Sequence, residues 1–307
     1  MDGGIDDALA LILALQSPNL EVVGITAVSG NVPVEQATTN ALRVLELFGP
    51  TDVWVAKGLA NPLVGDAIRA TGFHGKDGLG DSNLPPAKIQ ARRESALNLL
   101  SAEIDSSQPH ELSLIATGPL TNIAALFADN EDAPEKIEDL TIMGGAFGVT
   151  EYGIGNETPV AEFNIYSDPE AAKIVFESKV RPKAVGLDVT MVPESQLSTE
   201  EYARIIKSKT NRAQFASRIL ANAMKRRKSF ALHDPMAMAT KVNPLLFQFE
   251  KLPVAVETKG EHTRGMTVTD RRNWLPSSQL HGRTTDICRK VDTVPFKQMI
   301  LESLIRS

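Results

Sequence analysis

The chain has 307 residues and a net charge of −6, with 42% hydrophobic and 23% charged residues. An acidic protein lacks the basic footprint of a polyanion binder, which argues against nucleic acid and anionic membranes as partners. The single cysteine, Cys288, excludes an intramolecular disulfide and fits a reducing, cytoplasmic setting, and no run approaches the ~18 apolar residues of a membrane span.

Taken in chain order, strand-like and helix-like segments alternate. Ile5 to Gln16 has helical spacing and stops at Ser17-Pro18. Glu21 to Val28 reads as a buried strand, and Pro33 to Phe48 as an amphipathic helix closed by Gly49-Pro50. A short strand at Val53 to Val55, a loop through Val64 to Pro86 and a helix from about Arg92 to Ile104 follow. Glu111 to Ala116 is a strand, Leu120 to Phe127 a helix and Leu140 to Met143 a strand. Asp168-Pro169-Glu170 opens a helix running to Glu177, and Lys183 to Leu187 is again strand. Ser198 to Phe230 reads as helical, Lys251 to Val268 as a late strand pair and Val294 to Ile305 as a closing helix. No linker or low-complexity stretch divides residues 1–307, so one large α/β domain is expected. It should have a mostly parallel, doubly wound sheet with helices on both faces. In such sheets ligands bind beyond the carboxyl ends of the strands.

The polar clusters fall at those ends. Asp2-Gly3-Gly4-Ile5-Asp6-Asp7 packs three carboxylates around two glycines, an oxygen-rich set suited to a hard cation. First-turn acids that merely favour the helix dipole would look alike. Leu232-His233-Asp234-Pro235 sets a titratable ring beside a hard ligand, or simply caps a helix. In Ala161-Glu162-Phe163-Asn164 the two polar groups share one face of an extended segment, presenting an acceptor and an amide to hydroxyls, as a solvated strand would also do. Thr117-Gly118-Pro119-Leu120-Thr121-Asn122 follows a strand and opens a helix, and His74-Gly75-Lys76-Asp77-Gly78-Leu79-Gly80 is a Gly-rich loop, either a mobile lid or plain surface.

In this order the fragments resemble the inosine–uridine preferring nucleoside hydrolase family along nearly the whole chain. The family opens with Asp-x-Asp-x-Gly-x-Asp-Asp, of which Asp2-Gly3-Gly4-Ile5-Asp6-Asp7 is the second half. Gly30-Asn31, His74-Gly75, Thr117-Gly118, Met143-Gly144-Gly145, Glu162-Phe163-Asn164 and His233-Asp234-Pro235 match in register. The resemblance implies hydrolysis of the N-glycosidic bond of ribonucleosides around one Ca²⁺, held by Asp2, Asp7, Asp234 and the Thr117 carbonyl. It further implies that metal-bound water attacks C1′ with Asp2 as general base and His233 as proton donor to the base. Asp6, Asn31, Asn156, Glu162 and Asn164 would hold the ribose, Met143 would pack nearby, and His74 would face the base. Relatives of this kind form homodimers or homotetramers.

Two departures stand out. The family's hydrophobic first strand and leading aspartate have no counterpart before Asp2, so the domain is expected to lack that strand and to expose two ladders of backbone groups. Asp2 is then expected on a frayed end, with Gly3 in place of the usual Pro loosening the turn. The alternative is therefore a weak or inactive ribose-binding pseudoenzyme. An Asp-nucleophile phosphatase would fit the early acids but leaves Glu162-Phe163-Asn164 unexplained. The segment Ala221 to Phe230, expected near the base, holds four basic residues and no Tyr or Trp, so purine or pyrimidine preference is not readable.

Overall fold

A computed structural model describes residues 1–306. Its elements run α1 (Ile5–Gln16), β1 (Gly24–Ala27), α2 (Val34–Phe48), β2 (Trp54–Lys57), α3 (Thr71–His74), α4 (Ala96–Ser106), β3 (Ser113–Ala116) and α5 (Thr121–Asp129). They continue with α6 (Ala133–Lys136), β4 (Asp139–Met143), α7 (Phe163–Ser167), α8 (Pro169–Glu177), β5 (Lys183–Val185), α9 (Leu187–Thr190) and β6 (Leu197–Ser198). The remainder is α10 (Thr199–Lys207), α11 (Asn211–Arg226), β7 (Ser229–Phe230), α12 (His233–Val242), β8 (Phe247–Val256), β9 (Thr267–Thr269), β10 (Arg283–Val291) and α13 (Thr293–Ile305).

The main sheet has the order β3-β4-β5-β10-β8-β9. Strands β3, β4, β5 and β10 pair in parallel, whereas β8 and β9 add antiparallel at one edge. Alternate residues of a strand face opposite sides, and the core divides accordingly. Leu140, Ile142, Ala184 and Ile287 pack with α4, α5 and α8 on one face. Met143, Val185 and Cys288 pack with α1, α11, α12 and α13 on the other. This is the expected single α/β domain with helices on both faces. Among the described residues no helix is long and apolar enough to cross a membrane.

Strands β1 and β2 form a separate parallel pair. Their edge does not pair with β3; a cavity of about 750 Å³, lined by Leu11, Ile25, Trp54, Leu114 and Met238, lies between. Met1 occupies one rung along β1: its amino group donates to Thr26 O at 3.1 Å, and Val28 N–H donates to Met1 O at 2.9 Å. The expectation of a frayed Asp2 is corrected, because this rung precedes an aspartate that is fully buried. Gly3 does not loosen the turn: it adopts φ 81°, a left-handed conformation natural to glycine, and Asn40 Nδ2 donates to its carbonyl at 2.8 Å.

Several boundaries differ from the sequence reading for local reasons. The helical stretch after Ser198 breaks into α10 and α11, because Thr210 caps a new helix by accepting Ala213 N–H at 3.1 Å. It then ends in β7. Glu162 and Asn164 do not share an extended face. Glu162 caps α7, taking N–H groups of Asn164 and Ile165 at 2.9 and 3.1 Å, and Asn164 is already helical. His233 starts α12 rather than preceding it. His74 ends the short helix α3 with its ring buried, and the loop from Gly75 to Gly80 that follows it packs inward through Leu79, which has no exposed surface.

Candidate active site

Two helix starts bring the acids together. At the start of α1, Asp7 Oδ2 accepts Gly4 N–H at 2.7 Å, so one carboxylate both caps the helix and faces the site. Its Oδ1 accepts the Thr117 hydroxyl at 2.8 Å, tying α1 to the loop after β3. From the start of α12 comes Asp234. Ligand oxygens of Asp6, Asp7 and Asp234 lie within 4.8 Å of one another, all three residues buried. Asp6 Oδ1 is buried without a hydrogen-bond partner, a cost that a helix-dipole role does not offset. Burial, followed by the charge of Asp7, pushes the Asp6 carboxyl up to about 8. Asp234 is raised by burial and then by the charges of Asp6, Asp7 and Asp2. Such a buried set of hard oxygens has the composition of a divalent-cation site.

Asp2 lies beside Asp7, next to this trio. Its carboxylate accepts Asn31 N–H and Asn31 Nδ2–H, both at 2.8 Å, and its own N–H donates to Asp7 Oδ1 at 3.3 Å. Burial, then Asp7, raises its carboxyl well above the ordinary range. A Cβ on Gly30 would sit 2.0 Å from Asp2 Oδ2, so the Gly30-Asn31 pair is the mould that holds this carboxylate.

Above the acids lies a cavity of about 350 Å³. Every residue singled out from the sequence lines it except Asp2 and Asp7, which sit beneath. Asn164 Nδ2 donates to Met143 O at 3.1 Å, fixing the amide against the end of β4. Glu162 also accepts Gly145 N–H at 3.0 Å, and burial raises its carboxyl. Asn156 is exposed at the rim, its Oδ1 accepting Phe163 N–H at 2.9 Å. His74 Nδ1 faces Ile5 N–H at 3.1 Å and accepts it, which leaves Nε2 as the protonated nitrogen. Burial drives the rings of His74 and His233 down to about 3 and about 4, so both are neutral near pH 7.

The segment Ala221 to Phe230, expected near the base, does reach the cavity through Arg227 and Ser229, whereas sequence reasoning missed Phe73, Met191 and Gln196 on the same far wall. Arg227 lies 4.3 Å above the Phe73 ring, and the Ser229 hydroxyl donates to Gln196 Oε1. The basic run Lys225 to Lys228 was the one available signal, and it does not say which of its four members turns inward.

The same architecture and sequence recur in known proteins. The family model "Inosine-uridine preferring nucleoside hydrolase" matches residues 1–298. The pyrimidine-specific ribonucleoside hydrolase RihA of Shewanella woodyi is 40% identical over 310 residues, covering 99% of this chain and 96% of that protein. The protein of the same name from Citrobacter koseri is 38% identical over 276 residues, 88% of this chain and 86% of its own. Among solved structures, the plant nucleoside hydrolase PpNRh1 superposes with a TM-score of 0.91 at 29% identity, covering 100% of this chain and 98% of its own. A purine-preferring ribonucleoside hydrolase from Gardnerella vaginalis gives 0.87 at 30%, over 99% and 96% of the two chains. With its fold, its acidic site and its sequence in agreement along nearly the full length, the chain belongs to the inosine–uridine preferring nucleoside hydrolase family of enzymes.

Proposed function

We propose that this hydrolase cleaves ribonucleosides to ribose and free base with the aid of one Ca²⁺ held by Asp2, Asp7 and Asp234, with Asp6 beside them. The observation that carries the reading is the convergence of three buried carboxylates from α1 and α12 beneath a polar cavity, one oxygen having no partner. Calcium favours 6–8 oxygen ligands, and the Thr117 carbonyl, water and a sugar diol are the donors we assign to the remainder. When bound, the cation supplies polarisation of water and an anchor for the ribose.

The chain's own residues do the rest. Asp2 is the group we assign to take the proton of the attacking water as its oxygen bonds to C1′. Its raised basicity and its fixed bonds to Asn31 suit that role. Asp6, Asn31, Asn156, Glu162 and Asn164 hold the sugar hydroxyls, and Met143 packs beneath. As the C1′–N bond breaks, its electron pair moves to the base, where His233 supports the developing charge as donor and His74 closes the wall. A binding-only protein is the weaker reading, since both histidines and all three acids stand together. For the base we propose a pyrimidine, on the names of the Shewanella and Citrobacter relatives and on the polar far wall of Gln196, Arg227 and Ser229. We further propose a homodimer or homotetramer, as the resemblance implies, in the cytoplasm, on the reducing setting that a single cysteine fits.

Asp7→Asn tests the metal assignment. It should lower kcat/KM for uridine by at least about 10³-fold, several kcal/mol of transition-state stabilisation, and abolish calorimetric Ca²⁺ binding. Near-normal turnover would end the proposal. In a panel of uridine, cytidine, inosine and adenosine, faster release of hypoxanthine than of uracil would overturn the base assignment.

A further inference from the structure

His233 has a second contact that the reaction scheme leaves unused. Its Nδ1 lies 2.8 Å from the hydroxyl of Thr190, a residue with no exposed surface. Thr190 ends α9, the short helix that follows β5. That helix is held rigidly: the Asp188 carboxylate accepts N–H groups of Phe147, Val149 and Thr150 at 2.8, 2.7 and 3.2 Å. The Ser195 hydroxyl, 3.2 Å from Val189 O and 2.7 Å from Val192 O, ties down the turn that follows. The Thr190 hydroxyl has no other hydrogen-bond partner among the described residues, and neither does His233 Nε2.

We propose that Thr190 is a positioning residue for His233: its hydroxyl engages Nδ1 and so turns Nε2 toward the base of the bound nucleoside. The inference rests on the reading of His233 as donor to the departing base. The physical reason is torsional. The second side-chain dihedral of histidine is broad and roughly two-fold, so without a fixed partner the ring can turn over and present carbon where Nε2 should be. A hydroxyl is suited to the task because it can donate to bare Nδ1 or accept from Nδ1–H, and the ring keeps its orientation in either protonation state. Valine has the shape of threonine without the hydroxyl, and serine keeps the hydroxyl.

The experiment compares Thr190→Val, Thr190→Ser and His233→Ala on uridine and on p-nitrophenyl β-D-ribofuranoside, whose phenolate departs without a donor. For Thr190→Val the ratio of kcat on uridine to kcat on the aryl riboside should fall about 10- to 100-fold, the scale of a misplaced catalytic group, with KM for uridine little changed. Thr190→Ser should restore most of the ratio, and adding Thr190→Val to His233→Ala should lower it no further. An unchanged ratio in Thr190→Val, or equal losses on both substrates, would overturn the positioning role. If His233→Ala itself leaves the ratio unchanged, the donor reading of His233 fails instead, and the two failures are distinguishable.

Discussion

Asp7 shows how one side chain can serve the fold and the site together. It closes the first turn of α1 through Gly4 N–H and accepts the Thr117 hydroxyl, while sitting within ligand distance of Asp6 and Asp234. The ordinary reading of a first-turn acid holds for it, and the same carboxylate belongs to the buried acidic cluster. Gly30 is equally constrained, by what it must not carry. A methyl group there would collide with Asp2 Oδ2 at 2.0 Å, and the carboxylate is already fixed by two bonds to Asn31. Gly30→Ala should therefore displace Asp2 and lower kcat about 10²-fold or more, as a 1 Å misplacement does, with the thermal transition only mildly lowered. Steady-state kinetics beside a melting curve check this; full activity would mean that Asp2 need not hold its present position.

At the scale of elements, β10 organises the sheet. It pairs in parallel with β5 and antiparallel with β8, so it is the seam where the parallel region meets the antiparallel edge. The sequence reading assigned no strand to it. Arg283, Thr284, Arg289 and Lys290 are exposed, and only Thr285 to Cys288 and the terminal Val291 are buried, so its continuous apolar signal, Ile287-Cys288, is two residues long. What makes it a strand is pairing on both sides, which pattern within the segment does not reveal. Ile287 has no exposed surface and packs with Val254, Val256 and Ala184. Ile287→Ala should cost roughly 2–5 kcal/mol, as truncations in a packed core do. Denaturant unfolding measures it; a loss below about 1 kcal/mol, the scale of a tolerated core swap, would show that the seam carries little of the stability.

For the whole molecule, the buried acids set a dependence on pH and on the cation. Without the ion, the folded state holds the Asp6 proton up to about pH 8, whereas an exposed aspartate ionises near 3.8. Asp2 and Asp234 are raised in the same sense. A carboxyl raised on folding contributes stability that is complete at low pH and drains away as pH rises toward its folded value. The buried histidines act oppositely but only below about 6.5, the ordinary value above which they are neutral in both states. Between about pH 6.5 and 8 the chelator-treated protein should thus lose on the order of 1–2 kcal/mol of stability. Calcium should restore more at pH 8 than at pH 6.5, because the cation displaces those protons. Melting curves with EDTA and with Ca²⁺ test this; an ion-free stability that rises over the window would contradict it.

Much of the protein follows from local chemistry and is legible in the sequence. The α1 helix spans Ile5–Gln16 as its apolar spacing predicts, and the alternation of short strands and capped helices already implies a mainly parallel sheet with its loops gathered at one end. The acids, amides and histidines at those loops are readable because motif spacing is a property of the chain itself. What only the tertiary structure decides is which atoms meet. It groups Asp6 with Asp7 and Asp234, turns Asp2 to Asn31, brings Thr190 to His233 and folds Arg227 over Phe73. These contacts join residues as far apart as Asp7 and Asp234, and their geometry is set by helix starts and strand order. No local pattern encodes that distance.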